Sequence, residues 1–190
     1  MFLSMGAEAT IELRDGMVIK KRLPKGYRLE ALDNLIRRER TRNEARLTSE
    51  SRRSGVSTPI IYDIEDFEIT MQYIEGPKIK DIITPHLSGD IGIVVGKLHT
   101  ANIIHGDLTT SNMILHNGRI YLIDFGLAYY DSSVEAQGVD IHVLFQTYES
   151  THNDHEELIS AFSAAYRMTF PGADAVLERV TQIERRGRYA

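Results

Sequence analysis

The chain has 190 residues, 42% of them hydrophobic and 26% charged, so it can bury a core as one compact domain or two small lobes. It contains no cysteine, which excludes disulfides and cysteine-bound metals, and its net charge of −5 argues against a general nucleic-acid-binding protein. No apolar run could cross a membrane and the N-terminus does not resemble a secretory signal, so we expect a cytoplasmic protein without membrane contact.

The first part of the sequence is typical of a small sheet with one helix. Asp15-Gly16 is the dipeptide of a two-residue hairpin turn, and it lies between two segments of strand composition. A charged segment at 33–54 has helical composition and is expected to end at Gly55. The predicted strands are Thr10–Arg14, Met17–Arg22, Ile60–Asp63 and Phe67–Tyr73.

The predicted helix at 33–54 carries an uneven charge. It contains seven arginines against four acidic residues, although the whole protein is acidic. One interpretation is a solvated helix face that is stabilised by opposite charges four residues apart. The other is a docking surface for RNA or for an acidic partner. The sequence leaves both interpretations open.

The second part of the sequence is predicted to be mostly helical. Ser88 can cap a helix whose apolar residues recur at helical spacing, and a hairpin is predicted around the Asn117-Gly118 turn. Further helices are predicted at Val139–His152, Asp154–Met168 and Ala173–Arg185. A strand-rich part followed by a helix-rich part predicts an α+β protein with two lobes, residues 1–74 and 75–190, and a cleft between them.

The most informative segment runs from His105 to Asn112 and is followed by Asp124-Phe125-Gly126. Asp107 precedes Asn112 by five residues and Asp124 closes an apolar strand, which is the order of residues in the phosphoryl-transfer site of kinases. We expect Asp107 to orient the hydroxyl or water that attacks the phosphoryl group. Asn112 and Asp124 can supply the hard oxygen ligands that Mg²⁺ prefers, and Mg²⁺ would bridge the phosphates of ATP.

A kinase-type site also needs a lysine on the third strand and a glutamate on the following helix. Lys20 follows two apolar residues, so we prefer it to Lys21. We assign the glutamate to Glu44 rather than Glu39, because the small Ala45 allows the helix to pack closely on the strands. The pair would direct the Lys20 ammonium toward the α- and β-phosphates.

Two other segments are candidates for nucleotide contacts. The segment around Gly6 lies where a phosphate-covering loop is expected, although it offers one glycine in place of a glycine-rich motif. The segment that ends at Ile74 is similar to the hinge that holds adenine in kinases. There the carbonyl of Gln72 and the amide of Ile74 would bond the base, with Met71 at the back of the pocket.

Several motifs follow the order of a known family: Gly6–Ala9, Ile19–Arg22, Arg40–Ala45, His105–Asn112, Gly138–Asp140 and Arg186–Arg188. On these motifs the chain resembles the minimal kinase/ATPase subunit of the KEOPS (EKC) complex, the PRPK family, in an archaeal form. The resemblance implies a bilobal, truncated protein-kinase fold that uses ATP and Mg²⁺. It also implies a role in forming threonylcarbamoyladenosine (t6A) at adenosine 37 of tRNA. The implied partners are the threonylcarbamoyl-transferase subunit and small accessory subunits of the complex.

The end of the chain places Arg185, Arg186 and Arg188 close together. In the family a basic tail reaches toward the partner's active site, so we expect a loosely held tail that engages the transferase subunit or tRNA. The alternative is that these arginines only favour the end of a helix, where basic side chains are common.

Three other functions use or retain the same residues. A stand-alone serine/threonine protein kinase is one, but no Ala-Pro-Glu sequence follows Gly126 to support a platform for a peptide. A small-molecule kinase also uses His-Gly-Asp, but it normally has a larger helical insertion that this sequence lacks. A non-catalytic scaffold is the third, but the sequence keeps the full set of kinase-type site residues, which argues against it: Lys20, Glu44, Asp107, Asn112 and Asp124.

Overall fold

The first part of the molecule is built on a five-stranded antiparallel sheet. The computed structural model describes residues 2–5 and 9–187. The strands are β1 (Phe2–Met5), β2 (Ala9–Arg14), β3 (Met17–Arg22), β4 (Ile61–Ile64) and β5 (Glu68–Gln72), in the spatial order β1-β2-β3-β5-β4. Asp15 and Gly16 have φ angles of 52° and 76°, so the predicted two-residue turn between β2 and β3 is confirmed.

The long helix α1 (Glu30–Arg53) follows β3 and packs against β4 and β5. It begins before the predicted start because its N-terminal cap is Leu29, whose side chain makes no capping hydrogen bond. The sequence therefore carries no local signal for the start. Gly55, with a φ angle of 85°, follows the end of the helix as predicted, in a backbone conformation that favours glycine.

Helices, one hairpin and a pair of two-residue strands make up the regular structure in the rest of the described chain. The elements are α2 (Ile79–Ile82), α3 (Pro85–Thr100), β6 (Ile103–Ile104), a 3₁₀ turn (Thr110–Asn112), β7 (Met113–His116), β8 (Arg119–Leu122), β9 (Tyr129–Tyr130), α4 (Val134–Thr151), α5 (His155–Thr169) and α6 (Ala173–Gly187). β7 pairs with β8 around Asn117 and Gly118, which confirms the predicted hairpin. Within this described part, none of the helices is both long and apolar enough to cross a membrane.

The start of α3 corrects the sequence prediction. Thr84 is the N-terminal cap, its hydroxyl accepts a hydrogen bond from the amide of Leu87 at 3.2 Å, and Pro85 takes the first helical position. Ser88 is not a cap. It is buried inside the helix and its hydroxyl donates to the carbonyl of Leu158 on α5 at 2.7 Å. The Ser88 prediction was wrong because a serine can also bond across to a neighbouring helix.

One hydrophobic cluster joins α1 to the helical part. It contains Leu47 of α1 and Val56, together with buried side chains of α3 to α6 and of the β7–β8 hairpin. α3 and α5 approach each other closely at Gly92, where a Cβ atom would collide with the carbonyl oxygen of Phe162. The cluster also contains Leu108, Met113 and Phe125, each of which directly follows a predicted site residue of the second part. Those three site residues therefore lie on segments that are anchored in one packed core.

Candidate active site

Lys20 on β3 is bound by two carboxylates at once. Its Nζ donates to Oε1 of Glu44 at 2.7 Å and to Oδ1 of Asp124 at 2.7 Å. Burial alone would lower the pKa of Lys20, but the two carboxylates outweigh burial and raise the pKa above its ordinary value. The ammonium is therefore held in its charged form. Of the alternatives weighed from the sequence, Lys21 and Glu39 are exposed.

Glu44 has a second cationic partner, which sequence reasoning did not assign to the site. Nη2 of Arg22 donates to Oε2 of Glu44 at 2.5 Å. Arg22 lies two residues after Lys20 on β3, so the two side chains share one face of the sheet, and both are buried. This spacing of two residues on the strand is the signal that could have identified Arg22.

Asp124 joins the first part of the chain to the second. It has a φ angle of 62°, a left-handed conformation that a turn after β8 requires. Its Oδ1 accepts from Lys20 and also from the backbone amide of Gly126 at 3.3 Å. Burial raises the pKa of Asp124, but the Lys20 ammonium and the Gly126 amide more than compensate and leave it below its ordinary value. Asp124 is thus ionised at neutral pH.

Asp107 and Asn112 are in direct contact. The side-chain amide of Asn112 donates to the carboxylate of Asp107 at 2.8 Å and to its backbone carbonyl at 3.0 Å. The backbone carbonyl of Asn112 accepts from the amide of Ile123 at 2.9 Å. Because Ile123 precedes Asp124, this bond brings the two predicted metal ligands to neighbouring backbone positions.

Asp140 on α4 holds the backbone of the segment that contains Asp107. Its two carboxylate oxygens accept from the amides of His105 and Gly106, each at 2.9 Å. His99 adds a contact at 3.4 Å through Nε2. Burial raises the pKa of Asp140, but the hydrogen bond and charge of His99, and then His105, outweigh burial and lower it overall. Asp140 lies in one of the family motifs, yet the sequence alone assigned it no role.

Gly106 and His105 fit the same backbone closely. Gly106 has a φ angle of 78°, and a Cβ atom there would collide with the carbonyl oxygen of Leu127. Nε2 of His105 lies 3.1 Å from the carbonyl oxygen of Ile123, which can only accept, so this nitrogen carries the proton. The imidazole also contacts the buried ring of Phe125 at 4.8 Å between centroids. His105 therefore supports the segment through its contacts with Ile123 and Phe125.

The predicted adenine-binding residues lie at the end of β5. In the register of β3 and β5, Met71 is opposite Val18 and Ile69 is opposite Lys20, so Met71 shares the sheet face of Lys20. Gln72 is the last residue of β5, and its backbone amide donates to the backbone carbonyl of Ile60. Ile74 follows two residues later and is buried. Gly6, predicted to cover phosphates, lies outside the described residues.

The donor set of the site fits a nucleotide-bound Mg²⁺ ion. Among the described residues, the side-chain amide nitrogen of Asn112 donates only to Asp107, so the other polar atom of this side chain, Oδ1, is the one that can act as a metal ligand. Asp124 provides an ionised carboxylate, and Lys20 provides a charged ammonium for phosphate oxygens. A hard dication and a polyphosphate suit these groups by chemistry.

Comparison with known sequences gives consistent matches. Residues 20–159 match the RIO domain family. A probable bifunctional tRNA threonylcarbamoyladenosine biosynthesis protein of Methanosarcina barkeri is 58% identical over 99% of this chain, which covers 35% of that relative. A probable serine/threonine-protein kinase BUD32 homolog of Archaeoglobus fulgidus is 43% identical over 100% of this chain and 96% of its own length. The KEOPS complex subunit Bud32 of Pyrococcus abyssi is 37% identical over 98% of this chain and 95% of its own length. The chain thus spans about a third of the first relative and nearly all of the other two.

Comparison with solved structures shows a kinase-like fold. The aminoglycoside phosphotransferase APH(2'')-Ib, bound to ADP, aligns with a TM-score of 0.68 at 14% identity over 94% of this chain and 80% of its own. The Rio2 kinase of Chaetomium thermophilum, in a complex with ADP, Mg²⁺ and phosphoaspartate, aligns with a TM-score of 0.66 at 12% identity over 100% of this chain and 71% of its own. The α+β kinase-like fold predicted from the sequence is therefore confirmed.

Proposed function

The chain belongs to the Bud32 family of RIO-domain proteins, and from this premise we propose that it is a Mg²⁺-dependent ATPase and atypical serine/threonine kinase. Its activity would support the formation of t6A in tRNA within the KEOPS complex. The names of the Methanosarcina and Pyrococcus relatives support this assignment. The observation that carries this proposal is that Nζ of Lys20 lies 2.7 Å from a carboxylate oxygen of Glu44 and 2.7 Å from one of Asp124.

The residues of the first part would bind ATP. Lys20 would donate to the α- and β-phosphates, and Glu44 would keep its ammonium directed into the site. Gln72 and Ile74 would bond adenine through their backbone groups, and Met71 would close the back of that pocket. A backbone amide near Gly6 would contribute to phosphate binding, as the sequence indicates.

The residues of the second part would carry out the transfer. Asp107 would orient the attacking hydroxyl or water and take up its proton, while Asn112 keeps the carboxylate in place. Asn112 and Asp124 would hold Mg²⁺, which when bound neutralises charge on the phosphates. Asp140 would keep the backbone at His105 and Gly106 rigid, so that Asp107 stays aligned.

Phosphate release from ATP tests this proposal directly. The purified chain is assayed with MgATP, alone and with the threonylcarbamoyl-transferase subunit, and then in a reconstituted assembly that modifies tRNA. We expect phosphate release that requires Mg²⁺ and tRNA modification that requires this chain. Absence of MgATP binding and turnover under all three conditions would contradict the proposal.

A stand-alone serine/threonine protein kinase is the second candidate. The name of the Archaeoglobus relative favours it, since that relative is nearly the same length as this chain. The two functions differ in the acceptor, which is water for an ATPase and a protein hydroxyl for a kinase. Radiolabelled γ-phosphate distinguishes them, because it appears on protein in one case and as free phosphate in the other.

We further propose how the chain is organised and where it works. Residues 1–74 and 75–190 would act as two lobes around the site, in the cytoplasm, where tRNA is modified. The transferase subunit and small accessory subunits would bind this chain, and tRNA would be met through the complex. The exposed Arg185 and Arg186, in the last turn of α6, would face the transferase subunit or tRNA. Both arginines are helical and so do not form the loosely held tail that was predicted, and Arg188, the third arginine of that prediction, lies outside the described residues.

A further inference from the structure

Arg22 is a buried cation that the proposed mechanism does not use. Its side chain lies on β3 with 6% of its surface exposed. Its backbone is fixed on both sides, since Arg22 is paired with Ala9 of β2 and its amide donates to the carbonyl of Phe67 at 2.8 Å. Burying a guanidinium group is costly unless it is paired, so its position calls for an explanation.

The carboxylate of Glu44 is divided between two cations. Oε1 accepts from Lys20 at 2.7 Å, and Oε2 accepts from Arg22 at 2.5 Å. The Asp-Phe-Gly segment packs against this arrangement, because a Cβ atom at Gly126 would lie 3.3 Å from Nη2 of Arg22 and 3.6 Å from Oε2 of Glu44. Arg22 thus contacts the helix glutamate and lies beside the segment that carries Asp124.

The two cations would have different tasks once nucleotide binds. In the proposed mechanism the phosphates attract the ammonium of Lys20, which weakens its hold on Glu44. A buried carboxylate that loses its only cation is strongly destabilised and tends to leave its position. Arg22 prevents this loss, because its guanidinium is always charged and its contact is with the other carboxylate oxygen.

We propose that Arg22 is a positioning residue that keeps Glu44 in the site while Lys20 binds the phosphates of ATP. The inference rests on the proposed ATP-binding function and adds a residue to it. Arg22 acts through Glu44 and does not itself touch the nucleotide. The difference between Arg22 and Lys20 is therefore one of role, although both are cations of the same strand face.

The test measures the dissociation constant of MgATP by calorimetry on the full chain. The variants are Arg22→Gln, Arg22→Lys, Glu44→Gln and the double variant Arg22→Gln/Glu44→Gln. We expect Arg22→Gln to weaken MgATP binding by about tenfold, the usual effect of losing a charge-assisted hydrogen bond. We expect Arg22→Lys to be intermediate, and the double variant to bind no more weakly than the weaker single variant, because both changes break one arrangement.

The matched control is Lys21→Gln, which removes a positive charge from the next residue of β3, on the opposite and exposed face. It should bind MgATP like the parent. The proposal is overturned if folded Arg22→Gln binds MgATP like the parent, or if the effects of Arg22→Gln and Glu44→Gln simply add. If circular dichroism shows that Arg22→Gln is unfolded, Arg22→Lys takes its place in the same cycle. If the parent itself does not bind MgATP, the proposed function is overturned as well. If the parent binds MgATP and Arg22→Gln binds it equally well, only the role of Arg22 is overturned.

Discussion

Asn112 donates two hydrogen bonds from its side-chain amide to Asp107, one to the carboxylate at 2.8 Å and one to the backbone carbonyl at 3.0 Å. The carboxylate that is proposed to receive the proton is therefore oriented by the amide that is proposed to bind the metal. One side chain thus couples the position of the proton acceptor to the position of the metal ligand. Asp124 instead contacts Lys20 and the amide of Gly126, so changes at Asp107 and at Asp124 should have separable effects.

Replacing Asp107 with Asn should abolish the chemical step and spare binding. The amide keeps the size of the carboxylate but cannot accept a proton, so turnover of ATP should fall by about a hundredfold or more. The dissociation constant of MgATP should stay close to that of the parent. Phosphate release and calorimetry measure the two effects, with the exposed Asp81→Asn as control. Equal turnover in Asp107→Asn and the parent would refute this role.

Replacing Asp124 with Ala should affect binding and turnover together. The change removes a carboxylate ligand of Mg²⁺ and also a partner of Lys20 at 2.7 Å. We expect loss of ATP turnover, weaker binding of MgATP and a higher Mg²⁺ concentration for half-maximal binding. A magnesium titration of nucleotide binding provides the measurement. The assignment fails if Asp124→Ala shows the magnesium dependence of the parent.

Replacing Gly106 with Ala should be far more harmful than the same change at Gly118. Both glycines have positive φ angles, 78° and 69°, so each alanine costs about 1 kcal/mol in backbone conformation. A Cβ at Gly106 also meets the carbonyl of Leu127, whereas a Cβ at Gly118 meets nothing within 4 Å. Chemical denaturation and phosphate release should show a larger loss of stability, and a loss of turnover, for Gly106→Ala alone. Equal effects of the two changes would contradict this account.

The carboxylate of Asp140 should make the free energy of unfolding depend on pH. Its pKa is lowered in the folded protein, so its contribution is present above the ordinary pKa of 3.8 and is lost as the pH falls below that value. Asp140→Asn can accept through one oxygen only and leaves an amide of the His105–Gly106 segment unpaired. We expect it to lower the free energy of unfolding by about 3 kcal/mol at pH 7. Urea denaturation between pH 7 and pH 3 should show this difference shrinking on acidification, and a constant difference would disprove it.

Truncation after Ile183 should separate the end of α6 from the rest of the fold. The exposed Arg185 and Arg186 are removed, whereas the buried Val176 and Val180 stay in the core. We expect parent-like MgATP binding and thermal stability but reduced t6A formation in the reconstituted assembly. Unchanged tRNA modification would mean that these arginines serve only as a helix end.

Local chemistry explains which elements were predictable from the sequence. The turn at Asp15-Gly16 and the hairpin at Asn117-Gly118 have the backbone conformations that their residue types favour, so their strands could be predicted. The start of α1 at Glu30 could not, because Leu29 gives no capping signal. The two-residue strands β6 and β9 have no local pattern at all, since they exist through pairing with each other.

The residues of the site also differ in whether they could be predicted from the sequence. Asp107, Asn112 and Asp124 belong to one short segment with a fixed spacing, so their proximity follows from the sequence. Lys20 and Glu44 could be chosen from the order of strand and helix, and the structure places them 2.7 Å apart. The spacing of two residues places Arg22 on the strand face of Lys20, but the contact of Arg22 with Glu44 depends on how distant elements pack. The same is true of the contacts that Asp140 makes with His105 and Gly106.

The position of Lys20 between Glu44 and Asp124 has a thermodynamic consequence. An anion that binds the ammonium must compete with the carboxylate of Asp124, which lies 2.7 Å away. A cation that engages Asp124 weakens that competition, and an anion on Lys20 equally releases Asp124 for a cation. The two binding equilibria are therefore linked, and each ligand raises the affinity for the other by the same factor. A polyphosphate and a divalent ion should consequently bind with positive cooperativity.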